Sequence, residues 1–357
     1  MRVHQVLVTA APGDAVTDAA LELHRMMSPV LEATMYARYI HPALETEVES
    51  LEDFVGSPSP EADVLFFHAS IGEPEVFEFL RDRPEQVVVN YHNISPAGAF
   101  FPYDPAFAGL LEGGRQEVAA LAGRTTMALA DSAYNAEELR AMGYADVRVV
   151  PLVTPLRRLL AEHPGPAAQR RIQSLSGRAV VLFVGQMLPH KRPDFLISAF
   201  HVLCTYLRPD AHLVVVGSQR LPRYAEGVRQ LVSELNLDNV HLMGSVEGGE
   251  LAGWYRRADL FVTASEHEGF CAPLLEAMAF GVPVVARRFA AVPETLGDAG
   301  LLVPPEAGPE LAAEAMALLL GDQELRDEVV RRGPARVEAL DPDRAGAAVI
   351  EHLRRLR

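Results

Sequence analysis

ADLFVTASEHEGFCAPLLEAMAFGVPVVA, residues 258–286, decides how the chain is built. An apolar run of strand length leads into a loop with Glu268, Gly269 and Phe270, then a segment of helical length closed by Gly281 and Pro283, then a second apolar run. Pro273 suits the first turn of a helix, where a missing N–H costs nothing, and Gly281 suits a left-handed stop. Each mark agrees with strand, loop, helix, strand. A helix starting here leaves backbone N–H groups around Cys271 to Leu274 without intrahelical partners and favours an anion, a diphosphate above all. Glu276 lies one turn inside, where a carboxylate accepts hydrogen bonds from two neighbouring hydroxyls, as on a ribose. Glu268 can do the same for a sugar ring. Phosphate held by backbone and hydroxyls held by carboxylates is a division of labour that suits a nucleotide sugar.

Working outward, strand-like runs alternate with helix-length segments almost throughout, the pattern of parallel sheets built from strand-helix-strand units. In the first half we read strands at 3–9, 63–67, 86–90, 126–130 and 147–150, with helices at 14–27, 77–81 and 135–142. PLVTPLRRLLAEHPGPAAQRRIQSLSGR, residues 151–178, is rich in proline and arginine and reads as the linker. The second half resumes with strands at 179–184, 212–216, 240–243, 259–263, 282–286 and 300–303, and helices at 193–206, 224–235, 249–256, 273–280 and 309–320. The end, 341–357, reads as helix. The expectation is therefore an α/β protein of two Rossmann-like, doubly wound domains, 1–160 and 161–340, followed by a C-terminal helix.

Composition removes several function classes. With 357 residues, 49% of them apolar, the chain can bury sizeable cores, which excludes disorder. A formal charge of −16 repels phosphate backbones, so nucleic acid is not an expected partner. Two cysteines, Cys204 and Cys271, give neither a disulfide framework nor a zinc cluster and fit a reducing compartment, with the cytoplasm as default. No uncharged apolar stretch reaches the ~18 residues of a membrane span, and MRVHQVLVTAAPGD lacks the form of a signal peptide. The basic residues are 31 Arg and a single Lys, Lys191.

The pair Glu268 and Glu276, with Gly269, Phe270, Pro273, Ala277, Gly281 and Pro283 around it, resembles the signature of retaining glycosyltransferases of the GT-B fold, family 4. The resemblance continues through LFVGQMLPHKRPDFLISAF, HLVVVG, NVHLMGSV, WYRRADLFVTAS and VPETLGDAGLLVPP, and more loosely through VVVNYHNISPAGAFF and ALADSAYNAEELRAMGY in the first half. It implies two domains facing each other across a cleft, with the C-terminal helix returning to the first. It further implies a metal-independent hexosyltransferase that needs no cofactor, with a UDP- or GDP-linked sugar as donor and a hydroxyl as acceptor. Glu276 would bind the donor ribose, Glu268 the transferred sugar, and Lys191 the diphosphate. Gly185, Gln186 and the stretch Phe270, Cys271, Ala272 and Pro273 would line the phosphates. His92 would face the transferred sugar from the first domain, and catalysis would rest on His92, Lys191 and Glu268. In the family's usual picture the departing phosphate itself deprotonates the incoming hydroxyl.

Three departures stand out. Gln186 occupies a place where the family usually has Arg, with Arg192 or His190 as candidates to compensate; Cys271 stands where Gly is common; and the first loop, APGDAV, lacks paired glycines. Other residues have ordinary readings: His68, His190 and His267 as polar loop or strand-end residues, Trp254 and Tyr255 as packing, Cys204 as core. Residues 1–150 hold 9 Arg against 23 Asp and Glu, a balance of −14, which fits a neutral or cationic acceptor. The rival functions are a nucleotide-sugar epimerase on the same architecture and a non-catalytic nucleotide-sugar-binding protein.

Overall fold

The computed structural model describes residues 2–54, 56 and 63–356. The chain divides into two compact units, Met1–Pro155 with Asp341–Arg357, and Leu156–Leu340.

Unit 1 runs β1 (Arg2–Ala10), α1 (Ala15–Met27), β2 (Glu32–Ile40), β3 (Glu49–Ser50), β4 (Asp63–Ala69), α2 (Pro74–Asp82), β5 (Gln86–Tyr91), α3 (Pro105–Ala120), β6 (Thr125–Ala130), α4 (Ala133–Ala141) and β7 (Val147–Val149). Its strands form one sheet in the order β3-β2-β1-β4-β5-β6-β7, every pair parallel. β4, DVLFFHA, is buried at all of its residues, as a central strand covered by helices on both faces must be. Asp14, Asp104 and Ser132 start α1, α3 and α4 by accepting a first-turn amide on their side chains.

Three elements escaped the sequence reading. β2 lies near the sheet edge and buries only its centre, Met35–Ala37, so its charged ends hide the strand. β3 has two residues. α3 contains Gly109, Gly113 and Gly114, which mask its helical period.

Unit 2 runs α5 (Leu156–Ala161), α6 (Pro166–Gln173), β8 (Ala179–Val184), α7 (Pro193–Val202), β9 (Ala211–Val216), α8 (Pro222–Glu234), β10 (Val240–Gly244), α9 (Gly248–Arg257), β11 (Leu260–Thr263), α10 (Ala272–Ala279), β12 (Val284–Arg287), α11 (Val292–Leu296), β13 (Leu301–Val303), α12 (Pro309–Gly321) and α13 (Gln323–Ala339). The sheet order is β10-β9-β8-β11-β12-β13, again parallel.

The stretch expected to be a linker is structured. α5 and α6 belong to unit 2: Arg256 Nη2 and Nη1 donate to the carbonyls of Leu160 and Glu162 at 2.6 and 2.7 Å, and Arg171 Nε donates to Glu250 at 3.0 Å. The chain divides at Pro155, not at residue 160, because α5 packs on α9. α13 was missed because Gly333 and Pro334 lie inside it and imitate a stop.

The chain ends in unit 1 with α14 (Pro342–Arg354); Arg357, the expected end of this helix, lies outside the described residues. Val349, Ile350 and Leu353 of α14 join Leu23 and Met27 of α1 in one core cluster. Each such side chain contributes roughly 1.5–3 kcal/mol by leaving water. Arg148 Nη1 donates to His352 Nδ1 at 2.7 Å and adds a polar tie.

Both sheets wind outward in two directions from a central pair. In unit 1 the turn comes between β1 and β4, in unit 2 between β8 and β11. Loops leaving the C-terminal ends of such a pair diverge, and ligands of open α/β sheets bind in the crevice they leave.

Candidate active site

In unit 2 the two diverging loops are joined by an ion pair. Lys191 ends a short 3₁₀ turn after β8, and Glu268 lies in the loop after β11. Lys191 Nζ donates to both carboxylate oxygens of Glu268, each at 2.7 Å. The lysine side chain is 20% exposed and the glutamate 8%. Burial pulls the Lys191 ammonium down, but the Glu268 carboxylate outweighs it and holds the group above its ordinary value. The cation is therefore permanent in the neutral range, and an anion entering from solvent meets it already formed.

The loop that carries Glu268 is tied from behind by the segment around α11. The Ala291 amide donates to the Glu268 carbonyl at 3.2 Å, and the Thr295 hydroxyl donates to the Phe270 carbonyl. On the other side, the Gly185 amide donates to Val216 O at 2.9 Å and the Met187 amide to Ser218 O at 2.8 Å, which fixes the turn holding Gln186. Gly217 is required there. Its φ is +151°, and a Cβ on it would stand 1.9 Å from Gly185 O.

α10 begins at Ala272 with Cys271 as its N-cap, at φ 71° and ψ 65°. Left-handed backbone is the reason glycine is favoured at such a position, and a cysteine there is strained. Burial, then Glu268, pushes the Cys271 thiol well above its usual range, so it stays neutral and is no nucleophile. The expected cradle of amides is narrower than the sequence suggested. Pro273 has no N–H, and the Leu274 amide donates to Cys271 O at 3.0 Å, leaving the residues before Pro273 to supply it. Gly281, at φ 71°, follows the helix end as expected.

Glu276 faces a partner that sequence reasoning took for packing: Tyr255 donates its hydroxyl to Glu276 Oε2 at 2.6 Å. Neither candidate to replace the missing arginine adds a free positive charge. Arg192 gives its guanidinium to Asp194, at 3.1–3.2 Å, and to Glu266. His190 is pushed well below its ordinary value by burial, then by Lys191 and His267, and stays neutral.

In unit 1, His92 follows β5 at the head of a buried chain. Its Nδ1 lies 2.8 Å from Asp131 Oδ2; its Nε2 lies 2.9 Å from His68 Nδ1 and 3.2 Å from Asn90 Nδ2; His68 Nε2 lies 2.8 Å from Gln5 Oε1. Burial, then His92, drives His68 well below its usual range, so it is neutral. A neutral ring donates once and accepts once. Burial raises the Asp131 carboxyl, against the pull of His92. In the set of tautomers that has Asp131 ionised, His92 Nδ1 donates to it, His68 Nδ1 donates to His92 Nε2, and Gln5 donates to His68 Nε2. Gln5 Nε2 is a buried atom without a partner as placed, and turning the amide over supplies that donor. Every N–H of the chain then points toward Asp131.

His92 is the residue expected to face a sugar from unit 1. Its side chain is 3% exposed and both ring nitrogens are engaged within unit 1, because polar atoms buried this deeply must be paired internally. Sequence reasoning also left out Asp131 and Asn90 and gave His68 an ordinary role. The only available signal was position, since all three sit at or just past the ends of adjacent strands.

Residues 167–336 match the profile described as glycosyl transferases group 1. The chain is 32% identical over 188 residues to the D-inositol 3-phosphate glycosyltransferase of Segniliparus rotundus, covering 51% of this chain and 42% of that one. It is 36% identical over 139 residues to the GDP-mannose-dependent alpha-mannosyltransferase of Mycolicibacterium smegmatis, 39% of this chain and 32% of that one. It thus spans less than half of either relative. Among solved structures it resembles Anabaena HepE in complex with UDP and glucose, with a TM-score of 0.77 and 17% identity over 99% of both chains. It also resembles sucrose-phosphate synthase from Thermosynechococcus elongatus, with a TM-score of 0.76 and 20% identity over 99% of this chain and 98% of that one. These likenesses show the fold.

Proposed function

We propose, from the match of residues 167–336 to the group 1 glycosyl transferases, that the chain moves a hexose from a UDP- or GDP-linked donor to an acceptor hydroxyl with retention at the anomeric carbon. The observation that carries this reading is the Lys191–Glu268 pair, 2.7 Å across the β8/β11 crevice, with Glu276 one turn into the adjoining helix. The structure of HepE holding UDP and the relative named for GDP-mannose support the two donor bases.

The donor diphosphate lies against Gly185, Gln186 and the amides of Phe270, Cys271 and Ala272. Its ribose hydroxyls donate to Glu276, and the hexose hydroxyls to Glu268. Lys191 is then shared between Glu268 and the phosphate. The bond from the anomeric carbon to the phosphate oxygen breaks as the acceptor oxygen bonds to the same face of that carbon. The hydroxyl proton passes to the leaving diphosphate, whose growing charge Lys191 stabilises in place of a metal. Unit 1 takes the acceptor; its acidity favours a neutral or cationic one. His92 serves there as a positioning residue at the end of β5.

One observation favours a second reading, a nucleotide-sugar-binding protein without turnover: Gln186 leaves the phosphate clamp one cation short, and Arg192 is committed to carboxylates. The test is release of UDP or GDP from the corresponding hexose donors with and without acceptor alcohols. Acceptor-dependent release that Lys191→Ala abolishes, with donor binding largely kept, supports the transferase. Release without acceptor, or binding with no release from any donor, defeats it.

A further inference from the structure

Resting on the donor site just described, we infer that Tyr255 is a positioning residue that sets how strictly the site demands a ribose. Tyr255 lies on α9 and is completely buried. Its ring runs parallel to that of Phe280, 5° between planes and 5.2 Å between centroids, and stacks on Phe261 at 6.0 Å. The phenol oxygen ends an otherwise apolar slot, and it donates to Glu276 Oε2 at 2.6 Å. Burial, then Glu276, pushes the phenol well above its ordinary value, so it remains a donor wherever the protein is folded.

The geometry has a consequence for recognition. A glutamate has three rotatable bonds, and a carboxylate that must receive two adjacent hydroxyls works only in one plane. A fully buried, stacked ring carrying one O–H aimed at one oxygen restrains that plane before the nucleotide arrives. The ordering cost is then met on folding and not on binding. Without the phenol hydroxyl the carboxylate keeps its charge but loses the hydrogen bond that holds Oε2. It then distinguishes poorly between a diol and a single hydroxyl.

The test compares UDP and GDP with their 2′-deoxy counterparts by calorimetry, on wild type, Tyr255→Phe, Glu276→Ala and the double variant. Phe keeps the stacking. We expect Tyr255→Phe to weaken the ribonucleotide that wild type binds by about tenfold, and to leave its 2′-deoxy form within about twofold, so that the ribo-to-deoxy ratio collapses. The double variant should be no weaker than Glu276→Ala alone. In turnover assays KM for the donor should rise and kcat hold. The ratio is read on one protein preparation, so partial misfolding does not mimic the effect. A ratio unchanged in Tyr255→Phe, with the ratio collapsed in Glu276→Ala, would overturn the role of Tyr255 and leave the donor site standing. If wild type binds neither UDP nor GDP, or Glu276→Ala leaves affinity untouched, the donor-site reading itself falls.

Discussion

The two units wind their sheets the same way and put different chemistry at the crossover. In unit 2 the β8/β11 crossover carries a formed charge, Lys191, with 20% of its side chain open to solvent. In unit 1 a buried chain runs from Gln5 on β1 and His68 on β4 to His92 and Asp131, just past the ends of β5 and β6. A partly exposed cation can accept an incoming anion on its open side while it keeps its buried carboxylate partner. A buried hydrogen-bonded chain has no such freedom: removing one member leaves another polar atom unpaired. One crossover presents a cation at its edge, and the other closes its polar atoms on one another.

The sharpest way to break this contrast is Lys191→Ala. Loss of a preorganised cation from the leaving group should cut turnover by about 10²–10³-fold, while nucleotide affinity falls less, as compared by kinetics and calorimetry on the same variant. A change confined to affinity would make unit 2 a binding surface only. Asp131→Asn should show the opposite character. It replaces the final acceptor by a group with donors, and should cost about 1–3 kcal/mol in urea unfolding with donor binding in unit 2 unaltered. If donor affinity fell in step with stability, the two crossovers would not be independent.

A smaller effect concerns pH. Folded His68 sits well below 6.5, whereas the unfolded residue takes up a proton near 6.5. The unfolded state therefore binds more protons as pH drops from 6.5, and stability falls in that direction. His190 in unit 2 is shifted the same way, so the measurement is a difference. Thermal unfolding of His68→Gln should lose less between pH 6.5 and 5 than wild type does. The smallest effect expected is for Gln186→Arg, which should tighten UDP or GDP binding by about three- to tenfold at low salt and by less at high salt.

Much of unit 2 was legible because its signals are local. The strand, loop and helix of residues 258–286 are set by Pro273, Gly281 and apolar runs within a few residues of one another, and Glu268 and Glu276 fall on fixed places in that pattern. Lys191 could be singled out as the one lysine in an arginine-rich chain. Elements whose own residues argue against them were lost, as with the glycines of α3 and the Gly333–Pro334 pair inside α13.

What stayed hidden was every role that depends on a partner far away in sequence. Tyr255 and Glu276 are separated by 21 residues, His68 and Gln5 by 63, Lys191 and Glu268 by 77. The order of residues determined the winding, the crossover loops and the kinds of side chain placed on them, because periodicity, caps and turns act over one or two turns of chain. Only the folded sheets decided that Tyr255 meets the Glu276 carboxylate, that Arg192 is occupied, and that His92 lies between Asp131 and His68. Burial and hydrogen-bond geometry assign a polar atom its partner, and both come into being when strands distant along the chain lie side by side.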